Sequence, residues 1–258
     1  MRTIAIMNYK GGVGKTTTAV NLAAGLSRHD KRILLIDFDP QGNVDVSLKV
    51  EAEYTLYDAL TGKVAIQRCI INLAKNLDVI TSKETLVKAE HYLTMQETTK
   101  ALLKDLLGGI RGYDYIIVDC PPSLGVLNQN VLAFCSEIFV PTSSDFLGYD
   151  ALKKMKEIVV KINEKYNHHS KITKVIPTLF DRRNKICRET LMEIKELFPE
   201  LTSDPIRVNS KLKEAPKYGK SIFSYARSSS GAQDYGLLAK NVIEMETIAS
   251  APLIEIVS

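Results

Sequence analysis

The sequence predicts an α/β protein built on one doubly wound, mostly parallel sheet with helices on both of its faces. The first observation is that short apolar runs alternate with longer stretches of helical periodicity along the chain. The second is that these apolar runs are continuous, as in strands that helices cover on both faces. The third is that no linker, repeat or low-complexity run divides the 258 residues, so we expect residues 1–258 to form a single domain.

Seven apolar runs are predicted to be strands, of which the last is a short one near Ile206. The other six are Thr3–Met7, Arg32–Ile36, Leu77–Ile80, Tyr115–Val118, Glu137–Val140 and Lys174–Leu179. Five stretches with the periodicity of a helix are predicted to be helices. They are Lys15–Arg28, Thr85–Leu107, Tyr149–Tyr166, Arg188–Leu197 and Ala232–Ile248. This alternation indicates helical crossovers between parallel strands.

Composition and cysteine spacing argue against several classes of protein. The chain is 45% hydrophobic and 25% charged, which is ordinary for a globular protein. No run approaches the roughly 18 apolar residues of a membrane span. The four cysteines lie far apart without a CxxC pair, which argues against zinc-ribbon, iron–sulfur and thioredoxin-like sites. They are Cys69, Cys120, Cys135 and Cys187, and we expect reduced, mostly buried thiols.

The most informative segment is a glycine-rich loop that follows the first strand and opens the first helix. Its residues are Lys10, Gly11, Gly12, Val13, Gly14, Lys15, Thr16 and Thr17. Glycines let the backbone turn its N–H groups inward around phosphate oxygens, and the helix N-terminus adds its dipole. Lys15 would reach the β- and γ-phosphates, and the Thr16 hydroxyl would coordinate Mg²⁺. A dinucleotide-binding loop is disfavoured, because Thr17 stands where the third glycine belongs.

Acidic residues follow two of the predicted strands. Asp37 and Asp39 follow the Arg32–Ile36 run, and Asp119 follows the Tyr115–Val118 run. The carboxyl ends of parallel strands share one edge of the sheet, beside the phosphate loop. There Asp119 would bind Mg²⁺ directly or through water. Asp37 and Asp39 taken alone would more often be a turn pair, but a preceding phosphate loop favours a role in catalysis.

The loop departs from the general P-loop pattern GxxxxGK[ST] in one respect. Tyr9 replaces the first glycine, and Lys10 adds a second lysine. KGGVGKTT therefore resembles the deviant Walker A motif of the ParA/MinD family of P-loop ATPases. The segments DFDPQGN at 37–43, DCPPS at 119–123 and EAPKYGKSI at 214–222 resemble motifs of the same family.

The resemblance implies ATP and Mg²⁺ as cofactors and a role for each site residue. Lys10 would reach across a homodimer to the nucleotide of the partner subunit, as a catalytic residue together with Lys15 and Asp39. Asp39 would position the attacking water, Asp37 would help to hold the hydration shell of the metal, and the segment 121–127 would sense the γ-phosphate. Thr178, Pro205 and Arg207 are the candidates for the base pocket.

Basic residues are concentrated in one part of the chain. Residues 171–227 contain 13 Lys and Arg against 7 Asp and Glu, a net charge of +6, whereas the whole chain carries +4. Such a segment indicates a surface that faces a polyanion, although a solvated face is the alternative. The candidates for non-specific DNA contacts, which the resemblance implies, are Arg182, Arg183, Lys185, Arg188, Lys211, Lys213, Lys217 and Lys220.

The resemblance points to a cytoplasmic, nucleoid-associated ATPase that segregates or positions a plasmid, chromosome or protein cargo with a ParB-like or other adaptor. Too few residues precede the loop for a helix-turn-helix module, and the tail 250–258 lacks the basic face of a membrane-binding helix. Three alternatives stay open. They are a MinD-like membrane-cycling ATPase, a reductase ATPase of the nitrogenase iron-protein kind, and a nucleotide-gated DNA scaffold with negligible turnover.

Overall fold

A computed structural model describes residues 1–89, 102–123 and 125–250 of the protein. Its strands form one seven-stranded sheet in the order β3-β4-β2-β5-β1-β6-β7. The strands are β1 (Arg2–Ile6), β2 (Ile33–Asp37), β3 (Ile71–Ala74), β4 (Leu77–Ile80), β5 (Tyr115–Asp119), β6 (Glu137–Ser143) and β7 (Lys171–Thr178). Neighbouring strands run parallel, except that β3 and β4 are antiparallel. The predicted fold class is confirmed.

Helices cover both faces of this sheet. In the described residues they include α1 (Lys15–Ser27), α2 (Asn43–Leu48), α3 (Leu56–Leu60), α4 (Leu102–Leu107), α5 (Val126–Phe134), α6 (Phe146–Tyr166), α7 (Lys185–Leu197), α8 (Ser210–Glu214), α9 (Ile222–Tyr225) and α10 (Ser230–Ser250). Two 3₁₀ turns span Ile66–Cys69 and Ala215–Tyr218. None of these helices combines the length and apolarity that a membrane crossing requires.

Several predicted elements need correction. The run near Ile206 forms an isolated bridge between Phe180 and Arg207 instead of a strand. The apolar pattern does not predict β3, whose side chains alternate between half-buried and exposed because β3 is an edge strand. It also missed α5, which follows the Pro-Pro turn after β5. For the predicted helix Thr85–Leu107, residues 90–101 lie outside the described part, and α4 occupies the end of the predicted range.

Of the helices that begin earlier than predicted, two have an acceptor side chain as their N-terminal cap. Asp145 accepts a hydrogen bond from the Gly148 N–H, so α6 begins at Phe146. Asn184 accepts one from the Ile186 N–H and starts α7. Side-chain caps of this kind satisfy N–H groups that have no partner within the helix.

The core consists of two apolar layers, one on each face of the sheet. In β2, Ile33 and Leu35 pack in the layer that contains α1 and α10. Leu34 and Ile36 pack in the opposite layer with α5 and α6. All four side chains are fully buried. This burial explains why the central strands are continuous apolar runs in the sequence.

The register of the central strands brings the acidic residues together. Asp37 lies directly opposite Asp119 where β2 pairs with β5. The end of β1, from which the glycine-rich loop departs, lies opposite Asp119 on the other side of β5. The loop and both carboxylates therefore meet at the carboxyl edge of the sheet, where ligands bind in open α/β folds.

Candidate functional site

The glycine-rich loop has the backbone geometry of an anion cradle. Gly12 and Gly14 have φ angles of 73° and 86°, a left-handed conformation that favours glycine. Gly14 is the N-cap of α1 and has no side chain that could accept a hydrogen bond, so the first N–H groups of α1 stay directed at the loop. The Thr178 hydroxyl donates to the Val13 carbonyl at 2.8 Å and ties the loop to β7. Such a helix N-terminus binds phosphate groups.

Lys15 places a buried cation at this cradle. Its side chain is only 7% exposed, and its Nζ donates to the Lys10 carbonyl at 3.2 Å. Burial lowers the pKa of Lys15, although the charges of Asp119 and Asp39 partly oppose that effect. A desolvated cation gains more from an anionic ligand than an exposed one does, because the local dielectric is low. Lys15 is therefore placed to neutralise phosphate oxygens.

Asp119 is paired through one oxygen and has a second, unpartnered oxygen. The Thr16 hydroxyl donates to Asp119 Oδ2 at 2.6 Å. Oδ1 of this fully buried carboxylate has no hydrogen-bond partner within the described residues. Burial raises the pKa of Asp119 to about 7. A buried oxygen without a partner is costly, and a cation beside it would relieve that cost.

Asp37 orders the loop that carries Asp39. Its two oxygens accept the main-chain N–H groups of Asp39 at 2.9 Å and Val44 at 3.0 Å. Burial raises its pKa well above the ordinary value, with a further contribution from the charge of Asp119. Asp39 is 6% exposed and accepts the Gln41 N–H at 3.0 Å. The structure thus brings all three predicted carboxylates to the loop.

The side chain of Lys10 is held within its own subunit. Its Nζ donates to Ser143 Oγ and to Asp145 Oδ1, both at 3.0 Å. Its main-chain N–H donates to Asn8 Oδ1, also at 3.0 Å. The Lys10 side chain is therefore anchored at the end of β6 and the start of α6. A contact with a partner subunit would require Lys10 to leave this ion pair.

A cavity of about 400 Å³ lies beside the phosphate loop. Of the candidates for the base pocket, Thr178 and Arg207 line the cavity, whereas Pro205 is not among its lining residues. Gly12, Gly14 and Thr17 of the phosphate loop also line the cavity. The remaining lining residues are not among the predicted nucleotide contacts, because the fold brings them there from separate segments. They are Leu179, Ile206, Val208, Asn209, Leu212, Lys213, Pro216 and Tyr235.

The two basic clusters lie on the surface. All eight predicted residues are exposed. Arg183 pairs with Asp181 and Lys185 with Glu189 in the first cluster, and Lys211 pairs with Glu214 in the second. Lys213 also lines the cavity. Part of the basic charge is thus balanced locally, and the rest faces solvent.

Comparison with known proteins agrees with this arrangement. Residues 1–172 match a family model described as an AAA domain. The chromosome partitioning protein ParA of Caulobacter vibrioides is 35% identical over 254 residues, which cover 95% of each chain. The sporulation initiation inhibitor protein Soj of Bacillus subtilis is 38% identical over 245 residues, covering 93% of this chain and 97% of Soj.

Solved structures share the fold over nearly the whole chain. An ATP complex of an aspartate-to-alanine variant of Cyanothece McdA superposes with a TM-score of 0.85 at 25% identity, covering 96% of each chain. Cobyrinic acid a,c-diamide synthase of Mycobacterium smegmatis with bound ADP and magnesium has a TM-score of 0.82 at 27% identity, again covering 96% of each. Since the identity to ParA and Soj extends over almost all of the chain, the protein belongs to the ParA/Soj family of partition ATPases.

Proposed function

We propose that this protein is a Mg²⁺-dependent ATPase that segregates or positions a cargo through an ATP-dependent dimer that binds DNA non-specifically. The observation that carries the proposal is the phosphate loop beside the Thr16–Asp119 pair, with a second lysine, Lys10, at the start of the loop. Residues 1–258 act in this proposal as one cytoplasmic ATPase domain that associates with the nucleoid. Relatives named as chromosome partitioning proteins support the partition ATPase, and the DNA and nucleoid steps rest on the resemblance of the motifs.

The donor set fits Mg²⁺ bound to a nucleotide. The Thr16 hydroxyl and the unpartnered Oδ1 of Asp119 are hard oxygen ligands of the type that Mg²⁺ prefers. The described residues contain no group of three or more His, Cys, Asp or Glu that could hold a metal by itself. Phosphate oxygens and water would therefore complete the coordination shell, as is usual for Mg²⁺ in nucleotide sites. Bound there, the metal supplies charge neutralisation for the phosphates.

The protein's own groups would carry out positioning and charge stabilisation. Phosphoryl transfer to water needs little covalent help, so the N–H groups of the loop and the buried Lys15 would stabilise the charge on the phosphates. Asp39 would orient the attacking water from the loop that Asp37 fixes. The products are ADP and phosphate. Asp37 would hold the metal's hydration shell, while its two hydrogen bonds keep the 39–44 loop in place.

Lys10 would couple nucleotide binding to dimerisation. Its ion pair with Asp145 holds it within the monomer, where its side chain is still 27% exposed. In the dimer, Lys10 would instead contact the nucleotide of the partner subunit. The dimer is then favoured when a γ-phosphate is present, since a ligand shifts an equilibrium only by binding one state better.

The exposed basic clusters would bind the DNA backbone. Lys and Arg side chains that contact phosphates give sequence-independent affinity that falls steeply with salt. Five of the eight residues make no ion pair within the described part of the chain, so we propose them as the principal contacts. They are Arg182, Arg188, Lys213, Lys217 and Lys220. A ParB-like or other adaptor would stimulate slow hydrolysis and release the protein from DNA.

The direct test is phosphate release from ATP by the purified protein with Mg²⁺ and non-specific duplex DNA. Activity should be slow, should require Mg²⁺ and should be lost in Asp119→Asn, since amide oxygen is a weaker Mg²⁺ ligand than carboxylate. The exposed Asp204 provides the control Asp204→Asn, which should keep wild-type activity. Phosphate release that Asp119→Asn leaves unchanged would contradict the proposed site.

A further inference from the structure

One wall of the cavity beside the phosphate loop is a segment without regular secondary structure. Residues 206–209 line the cavity but belong to neither a strand nor a helix. On one side, main-chain bonds hold this wall against the end of β7. The Ile206 N–H donates to the Pro177 carbonyl at 2.8 Å, and the Val208 N–H donates to the Phe180 carbonyl at 3.0 Å. These bonds leave the opposite side of the wall to be held by another element.

That element is the first part of α10. The Asp234 carboxylate accepts the Arg207 main-chain N–H at 2.9 Å and the guanidinium Nη2–H at 2.6 Å, with Nε at 3.0 Å. One turn earlier, Ser230 Oγ accepts from the Asn209 side-chain amide at 2.6 Å. The Asp234 side chain is only 10% exposed. One carboxylate therefore fixes both the backbone and the side chain of Arg207.

The next residue of α10 connects the same wall to the phosphate loop. Tyr235 is 1% exposed and lines the cavity. Its hydroxyl forms a 3.1 Å hydrogen bond with the Thr18 hydroxyl, in the first turn of α1. Adjacent residues of one helix thus hold the cavity wall and the phosphate-binding helix. Because one rigid helix, α10, sets the spacing between the cavity wall and the phosphate-binding helix, it can keep the binding site in its productive geometry.

We propose that Asp234 is a positioning residue that holds the Arg207 wall of the cavity and thereby sets the affinity for the nucleoside part of ATP. The proposal rests on the proposed function, and it places the base of ATP in this cavity because two candidates for the base pocket, Thr178 and Arg207, line it. Asp234 itself acts through Arg207. Without the carboxylate, the Arg207 N–H loses its acceptor and the guanidinium loses its ion-pair partner. The wall then loses its anchor on α10 at Arg207, while the main-chain bonds of Ile206 and Val208 remain.

The test compares two ligands that would both bind the phosphate loop, of which only one carries a base. Mg²⁺·ATP would use both the loop and the cavity, whereas inorganic tripolyphosphate with Mg²⁺ would use the loop alone. Dissociation constants are measured by calorimetry for the wild type, Asp234→Ala and Asp234→Asn. The control Glu244→Ala removes another ion-paired carboxylate of α10, whose side chain is 56% exposed. Thermal unfolding of each variant reports whether it is folded at the assay temperature.

We expect Asp234→Ala to weaken ATP binding by about tenfold or more, the effect of losing a charge-assisted hydrogen-bond network. The dissociation constant of tripolyphosphate should change by less than about twofold. Asp234→Asn keeps one acceptor and should give an intermediate loss if the alanine variant proves too unstable to measure. Glu244→Ala should bind both ligands as the wild type does.

Two results would overturn the assignment of Asp234 as a positioning residue and leave the proposed function standing. One is a folded Asp234 variant with wild-type ATP affinity, and the other is an equal loss of affinity for ATP and tripolyphosphate. By contrast, a wild-type protein that binds neither ligand would overturn the proposed function and this inference with it. The wild-type titration therefore separates the two failures.

Discussion

The Thr16 hydroxyl donates a 2.6 Å hydrogen bond to Oδ2 of Asp119 across 103 residues of sequence. The other oxygen of this buried carboxylate has no partner within the described residues. One threonine and one aspartate therefore present two oxygens side by side at the phosphate loop. This relationship makes the nucleotide-free protein electrostatically strained at Asp119.

Asp119→Asn should stabilise the nucleotide-free protein at pH 8 relative to pH 4.5. Burial raises the pKa of Asp119 to about 7, above its value in the unfolded chain. The unfolded chain ionises first, so the free energy of unfolding falls as pH rises from about 4 to about 7. Asparagine has no such charge to bury. Urea unfolding should give a gain of at least about 1 kcal/mol at pH 8 and little change at pH 4.5.

Asp204→Asn is the matched control for this effect, because Asp204 is exposed. It should shift the free energy of unfolding equally at both pH values. If Asp119→Asn shifted the free energy of unfolding equally at pH 4.5 and pH 8, burial would not raise the pKa of Asp119 in the folded protein.

Asp39→Ala should abolish hydrolysis and keep the ATP-dependent dimer. Asp39 would position the attacking water, and losing a group of this kind commonly lowers the rate about 10²- to 10⁴-fold. The Asp37 carboxylate and the loop backbone that it holds remain in place. Phosphate release and light scattering with ATP measure the two effects on one sample. A monomeric Asp39→Ala protein in ATP would mean that Asp39 is structural.

Lys10→Ala should keep nucleotide binding by the monomer and lose the dimer. The Nζ of Lys10 bonds Ser143 and Asp145, while the buried Lys15 faces the loop. Removing Lys10 therefore leaves the phosphate cradle intact. Calorimetry should give an ATP dissociation constant within about threefold of the wild type, less than one tenfold step in affinity. Light scattering should give a monomer, and a dimer of normal stability would exclude the cross-subunit role of Lys10.

The thiols should be unreactive in the folded protein. All four cysteines are free and buried. Burial raises the pKa of Cys69 to about 11 and raises the pKa values of Cys120 and Cys135 further above the ordinary range. Since the thiolate is the reactive form, Ellman's reagent at pH 8 should label these three slowly. In urea all four should react at once, and rapid labelling of Cys120 without urea would show that its thiol is accessible and reactive in the folded protein.

Local sequence was sufficient to predict the central sheet and the position of the glycine-rich loop and the acidic residues at its carboxyl edge. Continuous apolar runs such as Tyr115–Val118 mark strands buried on both faces, and the acidic residues at their ends necessarily share an edge of a parallel sheet. The short edge strand β3 had no such signal, because two of its four side chains are exposed. Its position follows from antiparallel pairing with β4, which is a tertiary property.

Contacts between distant segments could not be predicted from local patterns. The sequence places Arg207 near a family motif, but its partner Asp234 is 27 residues away on another element. Likewise, nothing near Lys10 indicates its ion pair with Asp145, which is 135 residues later. Both contacts depend on how α6 and α10 pack against the sheet, and such packing is not encoded in the periodicity of either helix.

The central claim is that ATP converts this protein into a form that binds DNA. The most direct test is the binding of a non-specific DNA duplex with ATP, with ADP and without nucleotide, each across a salt series. We predict binding only with ATP, and contact with about six phosphates would lower the affinity about 10³-fold between about 50 and 200 mM salt. Lack of DNA binding in every nucleotide state would contradict the account, and the basic clusters would then be a solvated surface.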